Sequence, residues 1–300
     1  MNRVKTIHNI DEYAKNKGLG DYIKVNEVKN LLAVRHTQTT TFEGNVYEPI
    51  TCLILQGSKE IDVNNNVTKF SAGQALIVSH DTLVSARILE ASIDEPFVSL
   101  VLSIDLTLLR EIHLQMGEKH DLSKLDNHVP SSLEIAQADE HLADAICRYF
   151  DISQDPIEAS IMAPIVMKEI HFRLLTAKHG GMLRQLLNRD SHASRISKAI
   201  AQIRNGFCQP LLVADLAKYI GMSTSSFHEH FKSVIGTTPL QYQKELRLLK
   251  ARQLLSNGDH TVSQAAFDVG YESATQFSRE YTRKFDVSPR TDVGRELLIV

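Results

Sequence analysis

The sequence predicts an α+β protein in which an antiparallel β domain and a helical hairpin precede an all-α domain with two helix-turn-helix motifs joined by a long helix. Three observations predict this fold class. Short β-prone runs recur between Leu31 and Ile104, apolar residues recur at helical spacing after about Leu106, and an internal repeat occupies residues 213–289. A chain of 300 residues has room for two domains of ordinary size.

Composition restricts the class of protein. The chain has 33 Lys and Arg against 36 Asp and Glu, and 43% of its residues are hydrophobic, which is typical of a soluble globular protein and excludes collagen-like or disordered chains. No apolar run reaches the length of about 18 residues that a membrane span needs, and the N-terminus leads into the polar stretch Asp11-Glu-Tyr-Ala-Lys15 rather than into an apolar segment. We therefore expect a cytoplasmic protein without a membrane partner. Cys52, Cys147 and Cys208 are too scattered for a disulfide framework or a zinc site.

The net charge of −3 averages two unlike parts. Residues 195–300 contain 14 Lys and Arg against 10 Asp and Glu, a net charge of +4, which leaves −7 for residues 1–194. Such a split suggests a nucleic-acid-binding module joined to another domain.

Seven β-prone runs follow one another at short intervals, as in a sandwich or barrel. Asn64 to Asn66 is a hairpin turn signal and Gly73 marks a second turn, so we expect neighbouring strands to be antiparallel. The runs cover residues 31–37, 52–56, 60–63, 67–70, 75–79, 84–89 and 97–102.

Two apolar stripes predict the helical hairpin. Asp155-Pro156 separates them, because proline is favoured just inside a helix start. The polar stretch from Asn188 to Ser194 is the predicted domain boundary. The first stripe contains Leu133, Ala136, Leu142, Ala145, Ile146 and Tyr149, and the second contains Ile157, Ile161, Ile165, Met167, Ile170 and Leu174.

The internal repeat aligns Gly221 with Gly270, and each copy has the pattern of a helix-turn-helix. A small residue precedes each turn, the glycine allows the turn conformation, and Ser223 or Ser273 can cap the next helix. The flanking positions match in pairs: Val213 with Val262, Leu216 with Ala265, Ala217 with Ala266, Ile220 with Val269, Phe227 with Phe277, Phe231 with Tyr281, Ile235 with Phe285 and Pro239 with Pro289.

The second helix of each copy has the character of a recognition helix. Short polar residues near its start can read bases, and basic residues after them can hold phosphates. Between the copies, Leu240 to Leu255 forms one amphipathic helix of roughly 24 Å. Such a connector could present two recognition helices about one DNA turn apart.

These residues resemble a known family. Asp215-Leu-Ala-Lys-Tyr-Ile-Gly-Met-Ser-Thr-Ser-Ser-Phe-His-Glu-His-Phe-Lys232, together with Ala265-Ala-Phe-Asp-Val-Gly-Tyr-Glu-Ser-Ala-Thr-Gln-Phe-Ser-Arg-Glu-Tyr-Thr-Arg-Lys-Phe285, resembles the DNA-binding domain of AraC-type transcriptional regulators. Tyr47-Glu-Pro-Ile-Thr-Cys-Leu-Ile-Leu-Gln-Gly57 and Phe70-Ser-Ala-Gly-Gln-Ala-Leu-Ile-Val-Ser79 resemble the regulatory domain of the same family. The resemblance covers nearly the whole chain after the first thirty or so residues.

The resemblance implies a cupin-like β-barrel for regulation and dimerisation at residues 1–190 and a double helix-turn-helix domain at residues 195–300. It implies promoter DNA, RNA polymerase, a small-molecule effector and a second copy of the chain as partners, and activation or repression of transcription. By motif position, the base-reading candidates are Ser225, His228 and Glu229 in the first motif and Thr275, Gln276 and Arg279 in the second, with Lys232 and Arg283 on phosphates; Thr224 and Ala274 face outward beside them.

The barrel leaves three alternatives open. A cupin-type metal enzyme needs clustered ligands, but His36, His80, Glu48 and Glu60 stand apart, so we expect no catalytic residue, no metal and no cofactor. An effector-binding barrel would use its interior polar groups, whereas an effector-free barrel would only dimerise. The effector candidates are Arg35, His36, Tyr47, Gln56, His80 and Arg87, and the dimer candidates are Leu142, Ile146 and Ile161. Cys52 lies in an apolar run, where a structural thiol is favoured over a redox sensor.

Overall fold

The computed structural model describes residues 3–17, 20–64, 66–117, 131–188, 191–258 and 260–293. The predicted turn residue Asn65 and the boundary residues Arg189 and Asp190 lie outside the described residues. The strands are β1 (Tyr22–Lys24), β2 (Leu31–His36), β3 (Glu43–Tyr47), β4 (Ile50–Gln56), β5 (Ser58–Val63), β6 (Asn66–Ser71), β7 (Gln74–Val78), β8 (Thr82–Glu90), β9 (Phe97–Ser103) and β10 (Leu133–Gln137).

One helix precedes the strands, one lies between β9 and β10, and the remaining helices follow β10. They are α1 (Arg3–Lys17), α2 (Leu106–Met116), α3 (Glu140–Asp151), α4 (Pro156–Thr176), α5 (Gly181–Leu187), α6 (His192–Asn205), α7 (Val213–Tyr219), α8 (Thr224–Ile235), α9 (Pro239–Ser256), α10 (Val262–Asp268) and α11 (Ala274–Phe285). A 3-10 turn at Ile152–Gln154 links α3 to α4. No helix in the described ranges is both long and apolar enough to cross a membrane.

Two compact units divide the chain. The first, here the β unit, contains Met1–Phe42, Tyr47–Thr82 and Ala86–Ser191. The second, here the helical unit, contains His192–Val300 together with Glu43–Val46 and Leu83–Ser85. Along the main chain the division therefore falls between Ser191 and His192.

Two antiparallel sheets form the β fold, in agreement with the predicted fold class. One has the strand order β1-β2-β9-β4-β7-β10, and the other has the order β3-β8-β5-β6. The seven predicted runs all fall on strands, with ends shifted by one or two residues. The sequence did not indicate β1 and β3, which are short strands with only one buried residue each.

One part of the predicted helical hairpin is wrong. Leu133 and Ala136 were assigned to a helical stripe, but they lie on β10, where they pair with Val78 and Ala75 of β7. A run of five residues is too short for its apolar spacing to separate strand from helix, and the open edge of β7 decides the outcome. The helix that follows begins only at Glu140, after Asp139 caps it through the backbone N–H groups of His141 and Leu142.

The rest of the hairpin agrees with the prediction. Asp155 caps α4 by accepting hydrogen bonds from the backbone N–H groups of Ile157 and Glu158, and Pro156 occupies the first helical position. Helix α1, which was not predicted from the sequence, packs on α3, and Tyr13 meets Phe150 edge to face. Helix α1 also contacts β4 of the six-stranded sheet.

The helical unit repeats one arrangement twice. The two first helices, α7 and α10, each have seven residues, and the two second helices, α8 and α11, each have twelve. Ala217 and Ala266 are buried where the paired helices approach each other, as predicted. Helix α9 connects the two copies over 18 residues and buries its apolar side in both cores.

Candidate nucleic-acid interface and barrel interior

The first helix-turn-helix is formed by α7 and α8. Gly221 has a φ of +68° at the turn, and the hydroxyl of Ser223 accepts a hydrogen bond from the backbone N–H of Ser226 at the start of α8. Phe227 and Phe231 are fully buried and meet edge to face. Because these rings fix the inner side of α8, the residues between them face outward.

The second helix-turn-helix repeats this geometry in α10 and α11. Thr261 and Gln264 form a capping box at the start of α10. Gly270 has a φ of +88°, and Ser273 accepts from the backbone N–H of Gln276. The side-chain amide of Gln276 donates to the carboxylate of Glu280 at 3.2 Å, one turn further along α11.

The ten residues predicted to contact DNA lie on the outward sides of α8 and α11. Eight of them are exposed: Thr224, Ser225, Glu229, Lys232, Thr275, Gln276, Arg279 and Arg283. The other two, His228 and Ala274, are half-buried. Each motif therefore presents the N-terminal half of its second helix to the surroundings.

The two outward faces differ in charge. On α8, the positive charge of Lys232 is offset by the negative charge of Glu229. Helix α11 presents Arg279 and Arg283, and neither arginine forms an ion pair within the described part of the chain. Lys284 is also on α11, but its ammonium lies 2.7 Å from Glu245 of α9. Positive charge available for phosphates is thus concentrated on the second motif.

Helix α9 holds the second motif through Arg247. Its guanidinium donates to the carbonyl oxygens of Phe207 (2.6 Å), Gln209 (2.9 Å) and Gly270 (2.9 Å). Burial lowers the pKa of Arg247, although an arginine remains charged at any physiological pH. Gln243, one turn earlier, donates to the carbonyls of Phe207 and Gln209 as well. The connector therefore fixes the turn of the second motif as well as joining the copies.

A buried ion pair closes the end of the helical unit. Arg252 of α9 lies 2.7 Å from Asp292, whose carboxylate also accepts a hydrogen bond from Tyr281 at 2.8 Å. Burial, followed by the bond to Asp292, raises the pKa of Tyr281, which keeps its hydroxyl as a donor. The sequence did not indicate this triad, since its members lie far apart along the chain.

The interior of the β fold follows from strand alternation. On β2, Arg35 and His36 point to opposite faces of the sheet. Arg35 pairs with Asp11 of α1, on the side that the helices cover. His36 is on the other face, which also holds Ser99 and Cys52 according to the register of β2, β9 and β4. Cys52 is close enough to Lys59 of the second sheet for the two to influence each other's pKa, so this face is the interior.

The effector prediction is therefore wrong for Arg35 and Arg87. Arg87 pairs with Glu60 at 2.7 Å and lies over the ring of Phe42, on the outer side of the second sheet. Neither side chain can line the interior, because the period of two along a strand sends it outward.

Gln56 and His80 are engaged by the chain itself. Gln56 donates to the carbonyl of Pro96 at 2.9 Å, and the Nδ1 of buried His80 lies 2.9 Å from the hydroxyl of Ser79. Of the six predicted residues, His36 and Tyr47 are buried among interior groups.

Lys59 is an interior residue that was not predicted from the sequence. It shares one face of β5 with Ile61 and lies opposite Phe70 of β6, and both of these side chains are only 1% exposed. Its ammonium donates to the hydroxyl of Tyr47 at 2.9 Å. The alternation of Lys59 with Ile61 was the available signal, but a lysine on an apolar strand face is easily taken for a surface residue.

Two of the three predicted dimer residues are corrected. Leu142 and Ile146 are 0% exposed on α3, inside the β unit, and cannot form a surface for a second chain. Ile161 is 64% exposed on α4, and it lies one turn from Ile157 and one turn from Ile165, which are exposed as well. An apolar stripe at helical spacing fits a protein's own core and an interface equally well, which is why the sequence could not separate them.

Among the described residues, no group of three or more His, Cys, Asp or Glu side chains could hold a metal ion. His36 is paired through Nδ1 with Asp21 at 3.2 Å, while burial lowers its pKa below the ordinary value.

Comparisons with known proteins agree with this two-part arrangement. The family profile described as "AraC-type transcriptional regulator N-terminus" matches residues 27–182, and a helix-turn-helix domain profile matches residues 216–293. Together the two profiles cover the barrel, the hairpin and both motifs.

Curated relatives include the HTH-type transcriptional activator RhaS of Klebsiella pneumoniae (strain 342), 30% identical over 139 residues, which are 45% of this chain and 49% of that protein. RhaS of Salmonella agona (strain SL483) is 26% identical over 178 residues, 58% of this chain and 62% of that protein. The chain thus spans about half to three fifths of the length of these relatives.

Among solved structures, ToxT from Vibrio cholerae strain SCE256, bound to an unsaturated fatty acid, is similar in fold. The TM-score is 0.57 at 13% sequence identity, and the alignment covers 87% of this chain and 92% of the ToxT chain. ToxT from Vibrio cholerae O395, bound to (E)-4-(8-methylnaphthalen-1-yl)but-3-enoic acid, has a TM-score of 0.57 at 12% identity, with 88% and 98% covered.

Proposed function

The chain belongs to the AraC-type transcriptional regulators, and on that premise we propose that it binds promoter DNA in a sequence-specific manner through α8 and α11. The observation that supports this is the repetition of one helix-turn-helix with the same cap, the same turn glycine and the same outward face in both copies. A scaffold that served only packing would not need two exposed polar faces with the same register.

The two recognition helices act as a covalently joined pair. Helix α9 has 18 residues and spans roughly 27 Å at 1.5 Å per residue. With the widths of the flanking helices, this length suits two successive major grooves, about 34 Å apart on one side of the duplex. Residues 195–300 constitute the DNA-binding domain in this proposal, and residues 1–190 constitute the regulatory domain.

The barrel binds a small-molecule effector that modulates DNA binding. Interior polar groups at His36, Tyr47 and Lys59 support this role, because buried polar groups in an otherwise apolar interior fix the orientation of a ligand. Two of the ToxT structures that share the fold contain an organic acid. A barrel that serves only for dimerisation is the competing hypothesis, and a barrel enzyme is not part of the proposal.

The regulator acts as a homodimer in the cytoplasm and activates transcription through RNA polymerase. We propose activation rather than repression because the RhaS relatives are named transcriptional activators. Ile157, Ile161 and Ile165 form an exposed apolar stripe on α4, which we assign to the dimer contact.

Selection of binding sites from random duplex DNA with the full-length protein tests this function. We expect a motif with two conserved blocks about one helical turn apart, and an affinity that falls as salt rises. The variant Arg279→Ala serves as the matched control, because it should recover the same motif with one base pair relaxed. Failure to enrich any sequence, in full-length protein and in residues 195–300 alone, would contradict the proposal.

A further inference from the structure

We propose that the effector of this barrel is an organic acid, and that the ammonium of Lys59 binds its carboxylate. This inference rests on the proposed effector function of the barrel and assigns a chemical class to the ligand. It starts from a charged side chain in the interior of the β fold. Lys59 lies on the inward face of β5, next to Ile61 and across from Phe70.

No carboxylate of the chain neutralises Lys59 within the described ranges. The hydroxyl of Tyr47, at 2.9 Å, is its hydrogen-bond partner. Two lysines of the β unit that lie outside the barrel do have acidic partners: Lys15 pairs with Asp11, and Lys69 pairs with Glu90. Lys59 differs from these two, because its partner is a neutral hydroxyl.

The charge on Lys59 persists inside the barrel. Burial opposes the charge on Lys59, but the neighbouring Tyr47, whose hydroxyl accepts a hydrogen bond from the ammonium, favours it, and the pKa of Lys59 lies above its ordinary value. Burial also raises the pKa of the Cys52 thiol, which is therefore neutral and supplies no counter-charge. A partly buried cation without an anion is unfavourable. A ligand carboxylate at this position would remove that cost and would bind tightly as a result.

His36 adds a second contact and narrows the class further. It is 4% exposed, and burial lowers its pKa, so the ring is neutral. Nδ1 lies 3.2 Å from the carboxylate of Asp21, which favours the tautomer that carries its proton on Nδ1. Nε2 is then an acceptor, and it is buried with no hydrogen-bond partner among the residues that the structure describes. A ligand hydroxyl can donate to Nε2, so a hydroxy acid satisfies both Lys59 and His36.

Thermal unfolding of the full-length protein with matched probes tests this assignment. The probes are D-gluconate with D-glucitol, 3-hydroxybutyrate with 1,3-butanediol, and 3-hydroxydecanoate with 1,3-decanediol. We expect at least one acid to raise Tm by about 2–4 °C at saturating concentration, since a ligand that binds only the folded state stabilises it. The uncharged partner of that acid should leave Tm unchanged.

Two lysine variants on one hairpin provide the controls. Lys59→Met should abolish the shift, and Lys69→Met, on the outer face of the neighbouring strand, should keep it. Lys59→Gln repeats the test with a polar side chain, and unchanged DNA affinity without a probe verifies that each variant is folded. If the Tm shift persisted in Lys59→Met, or if the uncharged partner caused an equal shift, the barrel would bind an effector but Lys59 would not bind a carboxylate.

If no acid shifted Tm, the proposal of an organic acid would also be wrong. The selection of DNA-binding sites tests the regulator function independently of this result.

Discussion

The backbone of Cys208 packs directly against Gly270: a Cβ atom at position 270 would lie 2.1 Å from the carbonyl oxygen of Cys208. At the corresponding turn of the first motif, a Cβ on Gly221 would meet only the Nη1 atom of Arg195, at 4.0 Å. Both glycines have positive φ, +88° and +68°. The two turns therefore share a conformation but differ in packing.

We expect Gly270→Ala to destabilise the helical unit much more than Gly221→Ala. Alanine in a left-handed conformation costs about 1–2 kcal/mol at either turn. At position 270 the methyl group also overlaps a backbone carbonyl that cannot move without shifting the loop that Arg247 holds. Urea unfolding of the full-length variants, followed by circular dichroism, measures the difference. Equal losses of stability at the two positions would show that the contact with Cys208 is not rigid.

The sequence predicted the elements whose signals are local. Strand alternation located seven strands, and the repeat around Gly221 and Gly270 located both motifs, because turn glycines and capping serines act within a few residues. The connector was predicted at Leu240 to Leu255 and extends over Pro239–Ser256. Here propensity, periodicity and capping agree, which makes prediction reliable.

The remaining features depend on contacts between distant segments. Strand β10 exists because β7 offers it an edge, and Leu142 is buried because α1 and α4 cover α3. The interior position of Lys59 depends on the second sheet folding over the first. No local pattern encodes these arrangements, so the effector and dimer candidates were the least accurate part of the prediction.

Arg279→Ala is expected to weaken DNA binding by about 1–3 kcal/mol and to relax the preference at one base pair. Arg279 is exposed near the middle of α11 with no ion pair in the described part of the chain, and arginine bound to guanine is the commonest specific contact in major grooves. Competition binding with single-base variants of the selected site measures both effects.

Arg283→Ala is the comparison for this variant, because Arg283 lies one turn further along α11. We expect it to weaken binding to all sequences alike and to reduce the salt dependence by about one phosphate contact. If Arg279→Ala behaved in the same way, Arg279 would be a phosphate contact and base reading would belong to Thr275 or Gln276.

Ile161→Glu is expected to convert a dimer into monomers without loss of fold. Ile161 is 64% exposed in the middle of the stripe on α4, so a carboxylate there meets water in the monomer and an apolar surface in the dimer. Sedimentation velocity measures the mass, and circular dichroism verifies the fold. Leu114→Glu provides the control, since Leu114 is 78% exposed on α2 and lies outside the stripe. Dimers that persist in Ile161→Glu would assign self-association to another surface.

The stability of the β unit should decrease as the pH falls below 6.5, in part because of His171. Its Nδ1 donates to the carbonyl of Met167, and its Nε2 accepts from the backbone N–H of Asp105 at 2.8 Å, which requires a neutral ring. Burial lowers the pKa of His171 from 6.5. The unfolded chain therefore takes up the proton first, and the free energy of unfolding falls until the pH passes the lower pKa of the folded state.

His171→Leu separates this contribution from the others. The substitution leaves the N–H of Asp105 without an acceptor, which we expect to cost about 1–3 kcal/mol at pH 8. It also removes the proton uptake, so the loss of stability between pH 8 and pH 5 should be smaller than in the wild type. Urea unfolding at several pH values measures both quantities, and His141→Gln, at an exposed position on α3, should leave the profile unchanged. If the stability of His171→Leu fell with acid as steeply as that of the wild type, His171 would not contribute to the pH dependence. The dependence would then come from His36 and His179, whose pKa values burial also lowers.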